Sequence, residues 1–333
     1  MPLARIVIVT HNARRALKRC VESALRHSPE VEIRVIDNAS HDGTPILLES
    51  LARRHRRLSW ARHRRNLGFS AAANRAMRED PAEWTVLIDD DVECRAGWLD
   101  RLLAAGRHAG AGVAGCRIVD HSGRIFSAEL APFWGACGQF EPDRGQRDYS
   151  RRCEAVCGAC MAVRRDVFEA TGGFDESFFP CQYEDLDFCL RARLKGFAVV
   201  YEGRLGLAHA HLLRDGGRRD ENLRRLRGKW GDYAAFPLAD SHALDRGLVE
   251  LGRSVHRKDY AAALSQCARL RRHHPVPAYI DYFRGSAYAA LERWRPSIRS
   301  LERALRETRL GERHRQTAEL MLAQARWNLS RAR

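Results

Sequence analysis

The sequence predicts a doubly wound α/β sheet followed by an all-α region, and three observations lead there. Over the first 120 residues, short apolar runs alternate with stretches of helical periodicity. One of these runs, Thr85-Val86-Leu87-Ile88, ends in three consecutive aspartates, Asp89, Asp90 and Asp91. That is where open α/β sheets bind ligands, just beyond the carboxyl ends of their strands. After about residue 235 the strand signals stop and a 34-residue helical repeat takes over. The expected boundaries are 1–235 for the α/β domain and 240–333 for the helical one.

Each element follows from its local pattern. ARIVIVT is an apolar strand. In the next stretch Ala16, Leu17, Cys20, Val21, Ala24 and Leu25 recur at helical spacing. VEIRVID alternates and ends at Asp37. GTPILLESLARRH reads as a helix with Pro45 in its first turn, where a missing N–H costs nothing. LSWARH is a strand, SAAANRAMRE a helix and TVLI a strand, so the order βαβαβ implies a mostly parallel sheet. GWLDRLLAAGRHA continues as a helix and AGVAGCRIVD as a strand. The Gly- and aromatic-rich FWGACGQFEPDRGQRDYS reads as a long loop of the lid type. From Cys153 a strand leads into a helix over 165–171, then a Gly-Gly turn. In YEDLDFCLRARLKGF, Leu186, Cys189, Leu190 and Leu194 mark one helix face, and Glu184 and Asp185 stand at the end where the dipole favours anions. FAVVYEGRLGLA then runs as strand and turn toward His209 and His211. In the tail, Tyr260, Leu264 and Leu270 map onto Trp294, Ile298 and Ala304.

Composition narrows the class. Hydrophobic residues make up 45% and charged residues 30%, which suits a globular chain. No run approaches the roughly 18 apolar residues of a membrane span. Met1 leads almost directly into a strand, so no signal peptide is expected, and the expected location is cytoplasmic, with peripheral contact at the inner face of the membrane left open. The net charge is +15, of which +10 lies in residues 241–333. Such a basic region favours nucleic acid, anionic lipid headgroups or acidic partners, but no RNA-binding aromatic motif accompanies it, so no nucleic acid is expected. Ten cysteines in a long chain without a secretion signal are expected to stay reduced. Cys153, Cys157 and Cys160 share the spacing of the iron–sulfur triplet of radical SAM enzymes, yet they lie where a strand enters a helix, and buried thiols are the expectation.

Three clusters carry candidate chemistry. Asp89, Asp90 and Asp91 repel one another, and either a hard divalent cation or a solvated acidic turn would accommodate them. Asp37 could accept from a base N–H or a ribose, with Thr10 flanking the base. Neither a P-loop nor G-x-G-x-x-G occurs, and by spacing alone turn chemistry explains Asp37-Asn38 and Asp42-Gly43 better. Asp185 and Asp187, two residues apart, cannot share a helical face. They straddle a helix start, where one could serve as a general base or both as a cap and solvated acids. His209 or His211 could complete a metal site or simply be polar surface.

In order, VIVTHN, VIDNASHDGT, RRNLGFSAAANRAM, LIDDDVE and CGACMAVRRDVFEATGGFDESFFPCQYEDLDFCLRARLKGF resemble a family-2 glycosyltransferase of the GT-A fold, over about residues 4–230. The resemblance implies a nucleoside-diphosphate-sugar donor, UDP- or dTDP-linked, inversion at the anomeric carbon, and Mn2+ or Mg2+. It assigns donor binding to Thr10, Asn12, Asp37, Asn66, Asp89 and Asp90, with Asp37 at the nucleobase. It assigns metal binding to Asp91, Asp89 and His209, and the catalytic base to Asp185. His11, where the family usually has tyrosine, and Gly203, where proline is common, depart from the pattern outside the chemistry. Membrane helices and the Gln-x-x-Arg-Trp motif of processive members are missing, so a single addition is expected, to a cell-envelope saccharide or a lipid-linked saccharide. The tail resembles tetratricopeptide repeats, with KDYAAALSQCARLRRHHP as one second helix and its closing proline. Such repeats raise a protein or peptide acceptor, or a protein partner, docked there. A non-catalytic scaffold with a basic binding tail is the remaining alternative.

Overall fold

A computed structural model describes residues 1–131, 135–210, 218–231, 243–273, 277–306 and 312–331. The chain divides into two compact units, Met1–Gly138 with Pro142–Phe236, and Gln139–Glu141 with Pro237–Arg333.

The first unit is built in the order β1 (Ala4–Thr10), α1 (Arg14–His27), β2 (Glu32–Asp37), α2 (Thr44–Arg54), β3 (Leu58–Arg62), α3 (Gly68–Glu79) and β4 (Trp84–Asp89). There follow β5 (Val92–Glu93), α4 (Trp98–His108), β6 (Val113–Val119), β7 (Ile125–Ser127), β8 (Leu130–Ala131), β9 (Gly135–Ala136) and β10 (Ser150–Arg152). It closes with β11 (Cys160–Arg164), α5 (Arg165–Thr171), α6 (Glu184–Leu194), β12 (Val199–His209) and α7 (Arg219–Trp230). The main sheet runs β10-β12-β6-β11-β4-β1-β2-β3, with β5 on β12 and β7 on β6. β1, β2, β3 and β4 are mutually parallel where they pair, whereas β11 runs antiparallel between β4 and β6. The sheet is therefore mixed.

Its core lies on the faces the periodicity marks. Leu17, Cys20, Val21 and Ala24 of α1 are fully buried against Ile6, Ile8, Ile33 and Val35. Each fully buried aliphatic side chain contributes about 1.5–3 kcal/mol. Trp84 and Trp98 are buried in the same cluster, and Trp98 Nε1 donates to Ser28 Oγ at 3.0 Å, which removes the cost of burying an indole N–H.

The Gly- and aromatic-rich stretch differs from the loop expected. Gly135–Ala136 pairs with Leu130–Ala131, and Ser150–Arg152 adds antiparallel to β12. Tyr201 Oη donates to the Arg147 carbonyl at 3.0 Å. Strands of two or three residues are too short to register as alternation. Phe133 and Trp134 lie outside the described residues, as does His211. Cys153, Cys157 and Cys160 are buried thiols, and burial pushes Cys153 and Cys157 well above the ordinary thiol range, as the Cys116 neighbour followed by burial does for Cys160. Among the described residues these three do not converge as metal ligands.

The second unit contains α8 (Ala243–His256), α9 (Tyr260–His273), α10 (Pro277–Ala290), α11 (Trp294–Arg306) and α12 (Glu312–Arg331). Tyr260 and Trp294, matched in the repeat, open α9 and α11. Leu301, Ala304, Ala318 and Leu322 form a buried cluster with Ile298 and Tyr282 against it. Gly285 permits this packing: a Cβ there would stand 2.6 Å from Leu301 Cγ. Among the described residues, no helix is long and apolar enough to cross a membrane.

Candidate active site

Parallel pairing brings the polar ends of β1, β2 and β4 to one edge. Thr10 lies opposite Asp37, and Val9 opposite Asp89. Thr10 is buried, with its Oγ1 lacking a hydrogen-bond partner among the described residues. Asp37 is fully buried; its Oδ1 accepts from the Ser40 N–H at 3.0 Å and its Oδ2 faces Arg62 Nε at 3.2 Å. Asn12, in the left-handed region at φ +54°, receives the His41 N–H on Oδ1 at 2.7 Å and donates its own N–H to Ser40 Oγ at 2.9 Å. Asn66 Oδ1 accepts from Asn38 Nδ2 and from the Gly68 N–H, both at 2.8 Å. Asn38 also offers its Oδ1 to the Leu67 N–H at 3.0 Å, so it ties the end of β2 to the start of α3. These contacts make a fixed polar rim in which Asn38, whose spacing suggested a turn, and Ser40 are structural members. Asp42 belongs to the turn, as its spacing suggested: it caps Thr44 and accepts the Arg14 N–H at 2.8 Å.

β12 pairs with β5 at His209 and Val92, which sets His209 against the aspartate turn. His209 Nε2 lies 2.9 Å from Asp91 Oδ1 and 3.5 Å from Asp89 Oδ2. One ligand atom from each of the three lies within 4.8 Å of the others. Burial works against a charged His209, but hydrogen bonds to Asp89 and Asp91 and their charges outweigh it and raise its pKa to about 9. The two carboxylates thus demand a positive charge at this point. Asp91 and Asp90 are buried, and the Asp89 side chain is 38% exposed, so Asp89 faces the open side. Opposite ligands of an ion with bonds near 2.1 Å stand about 4.2 Å apart, so one small cation fits among these atoms. Two carboxylates and one imidazole suit Mn2+, and a hard oxygen-rich site suits Mg2+.

Asp185, in the first turn of α6, accepts the Gly158 N–H on Oδ2 at 2.8 Å and the Leu186 N–H on Oδ1 at 2.7 Å. The next residue along from Gly158 completes a bridge: the Asp89 N–H donates to the Ala159 carbonyl at 3.1 Å. Two adjacent residues, Gly158 through its N–H and Ala159 through its carbonyl, therefore hold both acidic clusters, although these lie far apart in sequence. A Cβ at Gly158 would stand 3.2 Å from Asp185 Cβ, tighter than ordinary packing. Burial raises the Asp185 carboxyl above the usual aspartate value and the Asp89 charge adds to this, while the two amide donors pull the other way. Burial and then the Asp185 charge push the Glu184 carboxyl well up, and its buried Oε2 has no hydrogen-bond partner among the described residues. Asp187 points elsewhere. It is fully buried and meets Arg191 Nε, Lys229 Nζ and Trp230 Nε1 at 2.8–2.9 Å.

The sequence matches the family described as Glycosyl transferase family 2 over residues 5–172, just over half of the chain. An O-antigen biosynthesis protein of Myxococcus xanthus, RfbC, is 27% identical over 250 residues, which cover 71% of this chain and 19% of that protein. An N-acetylglucosaminyl-diphospho-decaprenol L-rhamnosyltransferase of Mycobacterium tuberculosis is 30% identical over 225 residues, 59% of this chain and 72% of that protein. An uncharacterized Sinorhizobium fredii protein, y4gI, is 29% identical over 272 residues, and this chain spans 30% of its length. Among solved structures, GalNAc-T7 with UDP, GalNAc and Mn2+ aligns with a TM-score of 0.57 at 19% identity, over 74% of this chain and 53% of that one. The mannosyltransferase PcManGT of Pyrobaculum calidifontis, in complex with GDP-Man and Mn2+, aligns at 0.55 and 17% identity, over 98% and 87%. These likenesses establish the GT-A fold. The chain belongs to glycosyl transferase family 2.

Proposed function

We propose that this enzyme moves one sugar from a nucleoside-diphosphate sugar, UDP- or dTDP-linked, to a hydroxyl of a cell-envelope saccharide or lipid-linked saccharide, with inversion and with a divalent cation. The observation that carries the reading is the pairing of a cation-demanding Asp89–Asp91–His209 cluster with Asp185 across two adjacent residues, Gly158 and Ala159. The envelope acceptor draws on the Mycobacterium tuberculosis and Myxococcus xanthus relatives, whose names specify a diphospho-decaprenol acceptor and O-antigen biosynthesis.

The roles follow from chemistry. Asp37 accepts from the base N–H once Arg62 yields it, and Thr10 Oγ1 offers the base or ribose an unused hydroxyl. Asn12 and Asn66 hold the rim on which the nucleoside lies. Asp91, Asp89 and His209 would hold the Mn2+ or Mg2+, and Asp90 shapes the turn between them. Bound there, the ion supplies positive charge against the nucleoside diphosphate as it leaves. Asp185 takes the proton of the acceptor hydroxyl while that oxygen bonds to the anomeric carbon from the face opposite the departing diphosphate. A carboxylate with raised proton affinity suits this task near neutral pH. Its two amide contacts fix the carboxylate's direction, and positioning of this kind supplies much of the rate.

A thermal-shift screen of UDP-, dTDP- and GDP-sugars with and without Mn2+ tests the donor and metal together. A bound donor at free concentration c stabilises the folded chain by RT ln(1 + c/Kd), so the melting temperature climbs with the logarithm of donor concentration above Kd. The expected result is a rise with one pyrimidine nucleotide sugar that EDTA abolishes. An equal rise without the cation would remove the metal from the reading.

A further inference from the structure

We propose that Asn222, on α7, is a positioning residue that holds the catalytic base Asp185 in place through the segment 179–183. The inference rests on Asp185 being the base, as proposed above. It begins with the backbone that leads into α6. Gln182 and Tyr183 are both in the left-handed region, at φ +87° and +73°. Non-glycine residues held there persist only where their surroundings over-determine them. Asp185 is reached two residues later, so its direction depends on how firmly these two are held.

The segment is held from two sides. From α3, the Phe69 N–H donates to the Pro180 carbonyl at 2.7 Å. Gly68, at φ +81°, makes this approach possible: a Cβ there would stand 2.9 Å from the Phe179 ring and 3.0 Å from the Pro180 oxygen. Gly68 also gives its N–H to Asn66, so this side is continuous with the donor rim. From α7, Asn222 is fully buried, and its Nδ2 donates to the Cys181 carbonyl at 2.8 Å and the Phe179 carbonyl at 3.3 Å. Its Oδ1 accepts from Arg225 at 2.6 Å, so every polar function of the amide is directed. Arg219 Nε reaches Tyr183 Oη at 3.4 Å beside it.

α7 itself is anchored independently. Trp230 Nε1 and Lys229 Nζ grip Asp187 Oδ1 at 2.9 and 2.8 Å, and Lys229 also meets Asp175 at 2.7 Å. The far end of α7 is therefore fastened to the same helix whose first turn carries Asp185. Asn222 completes a closed frame: α6, α7 and the two carbonyls between them. A single buried amide on the frame fixes the strained entry to the base without touching donor, cation or acceptor.

The test uses the full chain with Asn222→Ala and Asn222→Asp, the second keeping shape and the Arg225 contact but losing the donor. Ser28→Ala serves as control, because it breaks the buried Trp98 hydrogen bond at the opposite edge of the sheet. Both Asn222 variants are expected to lower kcat for transfer about 10- to 100-fold, the scale set by a small misplacement of a reacting group. The donor KM should stay within about twofold. Hydrogen exchange should speed up at the Gly158 and Leu186 amides that bind Asp185, and stay unchanged in α1. Ser28→Ala should lower the melting temperature and leave kcat and those amides unchanged. The proposal falls if the Asn222 variants lose only thermal stability, with wild-type kcat per folded molecule and unchanged protection at Gly158 and Leu186, or if donor KM rises in step with the loss. A wild-type enzyme that binds no nucleotide sugar would instead overturn the functional reading, and the exchange measurement would still decide whether Asn222 holds Asp185.

Discussion

Asp185 and Asp187 stand two residues apart in the first turn of α6, and their surroundings differ in kind. Asp187 is saturated by cations: Arg191 and Lys229 bracket it and Trp230 adds an N–H. Asp185 is met by two backbone amides, with the Asp89 charge acting on it through the cleft. The difference follows from helix geometry, because residues two apart point to different sides. A carboxylate bracketed by fixed cations spends its charge on holding elements together. A carboxylate oriented by neutral donors and raised by burial keeps its proton affinity available. One helix turn therefore carries a structural acid and the acid proposed as the base, and burial alone would not separate them.

The sharpest way to break this contrast is to remove each charge while keeping its shape. Asp185→Asn is expected to lower the transfer rate roughly 10²–10⁴-fold, the range of general-base catalysis. The donor-induced rise in melting temperature should persist. Measured transfer near wild-type rates would end the assignment of the base. Asp187→Asn should act the other way round. Removing the anion leaves Arg191 and Lys229 facing an amide, at a cost of roughly 3 kcal/mol when a buried pair is broken. Thermal melts should show a fall of about 6–12 °C for a domain of this size. A variant that melts like wild type yet transfers nothing would exchange the two roles.

The same contrast shows what was legible beforehand. The ends of β1, β2 and β4 were, because an apolar run ending in a polar residue marks both the strand and its ligand edge. The 34-residue repeat was too, since α9 and α11 open on its matched residues Tyr260 and Trp294. For Asp185 and Asp187 the spacing supplied different faces and left the base open between them, while the family resemblance assigned it to Asp185. The Gly158 and Leu186 amides that orient Asp185 were not legible, because a backbone N–H has no signature in residue types. Gly158 left one trace, as the small residue between Cys157 and Ala159, where a side chain would crowd Asp185. Lys229 and Trp230 gave none, because a basic, arginine-rich helix reads as a solvated face. The Cys153, Cys157 and Cys160 triplet illustrates the reverse case. Its spacing imitates a cluster site, and the fold turns it into buried packing.

The helical unit offers a third acid, and it makes the contrast quantitative. Asp281 of α10 is buried, with Arg271 of α9 and Arg303 of α11 both 3.3 Å away. It ties three helices together, where Asp187 joins α6 to α7. Its partners are 39% and 38% exposed, against 19% and 33% for Arg191 and Lys229 at Asp187, so water solvates more of their charge. Longer contacts and solvated partners should make this acid the weaker fastener, although its own burial is similar. Asp281→Asn is accordingly expected to cost roughly 1–2 kcal/mol, between an exposed pair and a charged buried hydrogen bond. Native-state hydrogen exchange reads the effect locally: the α10 amides should exchange about 5- to 30-fold faster, the same free energy expressed as an opening constant. The α6 amides should keep their protection. A loss at Asp281 as large as that at Asp187 would show that burial of the acid, rather than exposure of its partners, sets the strength of these charge clusters.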